Sequence, residues 1–163
     1  MKAHALARLH ARAMRVPGPW TETDFDELLA TKASFFVHSS VDKYPGEREE
    51  LRPSHVAATK QAQDLAGFAL GRIVLDEAEL LTLAVDPDHQ REGIGRRCLG
   101  LFESEAALRG AAKAYLEVAE TNQAAIALYH ASGWVQNGRR KAYYKSTDAR
   151  IDAILMSKTL VAC

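Results

Sequence analysis

The chain has 163 residues, a length that fits one domain with a buried core. Its 47% hydrophobic content marks it as globular, and 21 Lys+Arg balance 21 Asp+Glu, so no global field draws it to nucleic acid or an anionic membrane. No apolar run approaches the roughly 20 residues that span a bilayer, and the two cysteines, Cys98 and Cys163, form no disulfide framework and fit a reducing cytoplasm.

The first stretch, MKAHALARLHARAMR, is basic and has no acidic residue before Glu22, as transit peptides do. It lacks the serines such peptides favour, and Leu6, Leu9 and Met14 recur near helical spacing, so it reads as a first structural helix. The turn-rich VPGP (Val16–Pro19) separates it from TETDFDELLA. There Thr21 or Thr23 can cap a second helix, Glu22 and Asp24 fill its first turn, and Phe25, Leu28 and Leu29 form its buried stripe. Ala33–Ser40 reads as a strand. Residues 41–62 carry charge, Pro and Gly and read as an extended hairpin loop, with a strand near His55–Thr59. Leu65–Leu75 and Ala78–Asp86 form an antiparallel hairpin joined by Asp76-Glu77. Helical periodicity covers Gly95–Arg109, with apolar residues at 98, 99, 101, 102, 106 and 108. A strand (Ala114–Glu120) and a helix (Asn122–Trp134) that stops at Gly133 follow. Two closing strands lie near Val135–Tyr143 and Ile151–Lys158. The pattern predicts a single mixed-sheet α/β domain over residues 1–163. The six histidines show no metal-ligand spacing, surface or capping roles are expected for them, and no metal is predicted. Cys98 sits among core-facing helix residues and reads as inert packing.

The stretch DPDHQREGIGRRCLG joins a strand to a helix through Gly93 and Gly95, with Arg91, Arg96 and Arg97 around them. A helix N-terminus has unpaired N–H groups and the positive end of the dipole, and glycines let a phosphate approach the backbone. The bland alternative is a tight connecting turn. It is not a P-loop, because GKS or GKT is missing, and Cys98 stands where a dinucleotide fingerprint needs its third glycine. Two further residues stand out. Glu117 is a carboxylate in the middle of a short central strand, where charge is depleted; a solvated face is the other reading. Tyr129 lies on the next helix, where a core tyrosine with its hydroxyl at the rim is the other reading. Asn122 can cap that helix.

The segment Gln90-Arg91-Glu92-Gly93-Ile94-Gly95 resembles the Q/R-x-x-G-x-G/A signature of the GNAT N-acetyltransferases. Within that family LDEAELLTLAVDP, LEV…N.AAIALY, RR.AYY…DARIDAILM and PWTETDF are similar to the RimI group, bacterial enzymes that acetylate the N-terminal alanine of a small-subunit ribosomal protein. The likeness covers about residues 19–40 and 65–160. It implies the GNAT fold, a mixed and mostly antiparallel sheet with a splayed parallel strand pair, flanked by helices. It implies acetyl-CoA as co-substrate, with the pyrophosphate on the loop of Arg91, Glu92, Gly93, Ile94, Gly95 and Arg96. Leu83, Ala84 and Val85 would hold the pantetheine arm and thioester carbonyl through backbone groups, and Asn122 would touch the cofactor. The resemblance places a general base at Glu117 and a general acid at Tyr129, and sets Tyr143 and Tyr144 beside a peptide groove. The implied partner is the N-terminal peptide of a ribosomal protein, with no direct nucleic acid or membrane contact, in a cytoplasmic monomer or weak dimer.

The chain departs from the group in four places. The usual first strand is missing or very short, residues 41–62 are inserted, Ala119 replaces an arginine, and Lys145 replaces a proline. The acceptor class follows from a magnitude. An α-amine of pKa ~7.7–8.0 is roughly a quarter neutral near pH 7.4, whereas a lysine of pKa ~10.4 is about a thousandth neutral. A lysine acceptor would need about 3 kcal/mol from desolvation or charge, and no such device is visible. A lysine or small-amine acetyltransferase and a non-catalytic acyl-CoA binding module remain as alternatives.

Overall fold

A computed structural model describes residues 2–40, 65–146 and 149–160; the expected loop 41–62, the strand near His55–Thr59, and Cys163 lie outside the described residues. Two helices come first, α1 (Lys2–Ala13) and α2 (Glu22–Ala30), and among the described residues no strand precedes them. Thr21, not Thr23, is the α2 cap: its hydroxyl accepts from the Asp24 amide while the Asp24 side chain takes the Thr21 N–H, a reciprocal capping box.

Strands β1 (Ser34–Ser40), β2 (Leu65–Val74) and β3 (Glu77–Val85) form an antiparallel meander. The β2–β3 turn falls at Leu75-Asp76, one residue earlier than expected, with Leu75 at φ +58° and 90% exposed. A short 3-10 turn (Pro87–His89) then leads into α3 (Ile94–Leu108), and β4 (Lys113–Ala119), α4 (Gln123–Ala131), β5 (Val135–Lys145) and β6 (Arg150–Thr159) complete the order. Among the described residues the sheet runs β1-β2-β3-β4-β6-β5, and only β3 and β4 are parallel. The last strand in sequence therefore lies inside the sheet, and β5 takes the edge.

One irregularity positions everything that follows. Leu70 pairs with Thr82, but the next residue, Gly71, pairs with Leu80, so Leu81 is an extra residue in β3. Alternation reverses across a one-residue bulge. Ala78 and Leu80 pack with α3 and α4 residues such as Leu99, Phe102 and Tyr129, whereas Ala84 packs with Leu6, Leu9 and Phe25 of the first two helices. The parallel β3–β4 register runs from Glu77↔Lys113 to Leu80↔Leu116 and stops there. Beyond it Leu81–Val85 and Glu117–Ala119 diverge, which is the expected splayed pair.

Helix α3 buries Ile94, Cys98, Leu99, Phe102 and Ala106. Phe102 stacks on Phe35 at 5.5 Å and 8°, and losing such a fully buried ring costs on the order of 3–5 kcal/mol. Cys98 is an inert packing residue as expected, its thiol pushed up to about 12 by burial. Leu108 is not a core residue: it stands at the last position of α3 and is 74% exposed.

The histidine expectation fails at His10, which is fully buried under Trp20, Phe25 and Phe68. Its Nδ1 accepts the Trp20 backbone N–H at 3.0 Å, so its proton sits on Nε2, which donates to Thr82 Oγ1 at 3.0 Å. Both ring nitrogens are satisfied, and burial lowers the imidazole to about 4.

Candidate active site

The candidate site has two parts, one at the end of β3 and one where β3 and β4 diverge. The first is the turn that opens α3. Arg91 (φ +66°) and Gly93 (φ +81°) are left-handed, which glycine adopts freely and other residues rarely do. The first helical bond closes from the Arg97 amide to the Gly93 carbonyl at 3.0 Å, so the amides of Ile94, Gly95 and Arg96 precede the ladder. Among the described residues no side chain caps this end. A Cβ on Gly93 would meet nothing within 4 Å, so this residue is needed for its φ. A Cβ on Gly95 would lie 3.3 Å from Leu128 and 3.5 Å from Val85, so this glycine is needed for space. Glu92 turns its carboxylate to His89 (3.2 Å), Ile94 is buried and Arg96 is exposed. What Glu92 and Ile94 can offer an anion is therefore backbone only.

The turn is tied to α1. Arg12 donates to Asp86 Oδ2 at 2.6 Å and to Asp88 Oδ2 at 2.7 Å, while Asp86 Oδ1 accepts the Asp88 amide. These bonds fix where β3 ends and the turn begins.

The second part is a crevice of about 80 Å³ between the splayed strands. Leu83, Glu117, Asn122, Tyr129 and Tyr144 all line it, together with Met14, Val16, Pro17 and Trp20 from the α1–α2 connection. Of the residues expected at the cofactor strand, Leu83 lines this crevice, Val85 packs toward Gly95, and Ala84 is buried against α1 and α2. Asn122 caps α4, accepting the Ala125 amide at 3.2 Å, and lines the crevice at once.

Tyr129 is buried, packed near Trp134, and its phenol is raised, first by burial and then by the neighbouring Tyr144. A phenol so placed keeps its proton at any physiological pH. Glu117 is the carboxylate of the site. Its Oε1 pairs with Arg140 Nε at 3.0 Å, and its charge raises the Tyr143 phenol. Tyr144, half-buried, is pushed up to about 12 by burial and then by Glu117. Tyr143 and Tyr144 meet edge to face at 5.0 Å, but only Tyr144 lines the crevice; Tyr143 is 47% exposed beneath the Arg140 guanidinium.

Glu117 also borders a second, larger hollow of about 420 Å³ on the open sheet face, shared with Arg72, Glu79, Tyr115, Asn137 and Arg140. It thus has solvent on one side and the crevice on the other. Sequence reasoning missed the Arg140 partner, the buried His10 and the Met14–Trp20 wall. The turn signal VPGP followed by Trp20 was the available hint for the wall.

The description "Acetyltransferase (GNAT) family" matches residues 6–134 of the chain. Escherichia coli K12 [ribosomal protein bS18]-alanine N-acetyltransferase is 48% identical over 93 residues, which cover 57% of this chain and 63% of that protein. The chain thus spans less than two thirds of that relative's length in the match. Mycobacterium tuberculosis N-alpha-acetyltransferase RimI is 36% identical over 149 residues, covering 86% of this chain and 90% of that protein. The crystal structure of the ribosomal-protein-S18-alanine N-acetyltransferase from Escherichia coli superposes with a TM-score of 0.76 at 33% identity, covering 99% of this chain and 89% of that one.

Proposed function

The chain belongs to the acetyltransferase (GNAT) family, and from that premise we propose that it is an acetyl-CoA-dependent N-terminal acetyltransferase. Its acceptor is the α-amine of a protein beginning with alanine, a ribosomal protein of the bS18 type, and it works in the cytoplasm as a single catalytic domain. The observation that carries this reading is the crevice, lined by both Glu117 and Tyr129, at the end of the parallel β3–β4 pair.

Acetyl-CoA, as the acetyl donor, supplies an activated thioester and departs as a thiol. The residues present fit it. The unladdered amides of Ile94, Gly95 and Arg96, with Arg91 and Gly93 shaping the turn and the exposed Arg96 adding positive charge to the first helical turn, suit a pyrophosphate. Leu83, Ala84 and Val85 lie in the strand that diverges from β4, where backbone groups lose their neighbour and can hold a ligand. Asn122 lines the same crevice.

The amine must lose a proton to become nucleophilic, and Glu117 is the group to take it, directly or through one water. Its Arg140 partner orients the carboxylate, and the open hollow behind it gives the proton an exit to solvent. Tyr129 holds the proton that a departing thiolate needs, in a water-poor site where the phenol cannot ionise beforehand. Tyr144 and the Met14–Trp20 wall close the crevice around the first acceptor residue.

Mass spectrometry of peptides incubated with acetyl-CoA tests the assignment. A peptide with a free N-terminal alanine should be acetylated at its α-amine at least ~10²-fold faster than one with a blocked terminus and a free lysine, given how little lysine is neutral. Equal rates, or faster lysine acetylation, overturn the N-terminal reading.

A further inference from the structure

We propose that Asp152 is a positioning residue for the acceptor side of this site: it holds a bulge in β5 that brings Tyr143 and Tyr144 to Glu117. The proposal rests on the N-terminal acetyltransferase reading above. Along the β5–β6 ladder Arg140 pairs with Ala153, and the next pair is Tyr144 with Ile151. Lys141, Ala142 and Tyr143 therefore stand opposite Asp152 alone. Ala142 sits at φ +54°, a left-handed conformation that alanine rarely adopts.

Asp152 supplies what keeps it there. Its Oδ1 accepts the Ala142 N–H at 2.8 Å, and its Oδ2 pairs with Arg139 Nε at 2.7 Å. Arg139 also reaches the Glu120 carboxylate, whose other oxygen accepts the Asp152 amide at 3.4 Å. Arg150 donates to the Ala142 carbonyl at 3.3 Å, so both polar groups of that residue are held by side chains. Charge-assisted bonds of this kind are among the stronger hydrogen bonds in proteins.

The consequence for the site follows from alternation. On a regular strand, neighbouring tyrosines point to opposite faces. Across the bulge the two rings meet edge to face, Tyr144 enters the crevice with Glu117 and Tyr129, and Tyr143 lies under Arg140, the partner of Glu117. Asp152 touches none of the reacting groups. It acts through Ala142, and both ends of the bulge end at Glu117.

Steady-state kinetics with an N-terminal alanine peptide, alongside the melting shift given by acetyl-CoA, separate this role from general stability. Asp152→Ala should raise the acceptor KM about tenfold and leave the acetyl-CoA shift unchanged. Asp152→Asn keeps an oxygen for the Ala142 N–H and should stay within about threefold of wild type. Adding Ala142→Gly to Asp152→Ala should recover most of the loss, because glycine takes the left-handed conformation unaided. An unchanged acceptor KM in Asp152→Ala, or no rescue by the glycine, overturns the proposal. Should Asp152→Ala fail to fold, amide hydrogen exchange decides: the Ala142 amide should exchange slowly in the wild type, and fast exchange there also overturns it. The exchange measurement needs no substrate, so it stands apart from the enzymatic reading, which falls if the wild type acetylates no α-amine.

Discussion

The turn that opens α3 and the β5 bulge use the same backbone device and stabilise it in different ways. Both depend on left-handed residues, Arg91 and Gly93 in one and Ala142 in the other. In the turn the conformation is local: a glycine adopts it, and the next amides are left without helical partners because a helix begins there. In the bulge an alanine is held by Asp152 and Arg150, themselves braced through Arg139 and Glu120. The left-handed residues and free amides of the turn thus lie within Arg91–Arg96, with Arg12 as their tie to α1, whereas the bulge is held by contacts between strands. A point change away from the turn and its Arg12 tie should spare the first, whereas the second depends on Asp152, ten residues away.

Tyr129 stands between the two regions, and its replacement is expected to have the largest effect. Tyr129→Phe keeps the ring beside Trp134 and removes only the hydroxyl. Turnover should fall ~10²-fold or more, the scale of a lost general acid, with the acetyl-CoA affinity and acceptor KM little changed. A variant with wild-type kcat returns this residue to a packing role.

Gly93→Val attacks the local side. A β-branched residue at φ +81° is strongly disfavoured, although a side chain would have room. Acetyl-CoA at a hundredfold excess over its dissociation constant should stabilise the wild type by about 2.7 kcal/mol, and the variant should lose most of this. Asp152→Ala should keep it. If thermal shift assays find both variants equally impaired, the two regions are not independent and the contrast collapses.

The same contrast explains what could be read in advance. A cap at Thr21 or Thr23, the cap at Asn122, the hairpin, the glycine turn and the placement of Glu117 and Tyr129 on successive elements all follow from spacing within a few residues, or from a resemblance carried by such spacing. The extra residue Leu81 was invisible, because LLTLAV is apolar on both faces and nothing in it marks where alternation reverses. Tyr143 and Tyr144 are adjacent, so alternation alone would have separated them; Asp152, which unites them, lies beyond the hairpin turn. Nothing local marks His10 as buried rather than in a surface or capping role, because its partners, Trp20 and Thr82, are 10 and 72 residues away. Leu108 fits the helical stripe by period, yet it is the last residue of α3 and is exposed.

A smaller, pH-dependent effect is expected at Glu117. Near pH 7.4 about a quarter of an α-amine is already neutral, so Glu117→Gln should slow the reaction only about fourfold there. At pH 6 only about 2% is neutral, and the deficit should grow to tens-fold. A deficit that does not change between pH 6 and 9 would remove proton acceptance from the role of this residue and leave it an anchor for Arg140.

The smallest expected effect concerns the other long-range tie, His10 to Thr82, which joins α1 to β3 one residue past the bulge. Burial holds the folded imidazole at about 4, against its ordinary 6.5. Between those values the unfolded chain takes up a proton that the folded chain refuses, so stability is full above about pH 6.5 and is lost as pH falls toward 4, with no further loss from this group below that. Protonation would also place a hydrogen on Nδ1, which must accept the Trp20 N–H. Melting curves of the wild type and His10→Gln at pH 8, 6.5, 5 and 4.5 isolate this contribution, since both proteins share every carboxylate. The variant should be less stable at pH 8, by ~1–3 kcal/mol for a disturbed buried hydrogen-bond pair, and should lose less on acidification than the wild type. Parallel curves would mean that the α1–β3 tie does not titrate. The acid sensitivity of the fold would then lie in carboxylates such as Asp24 and Asp152, which their hydrogen bonds hold below the usual range.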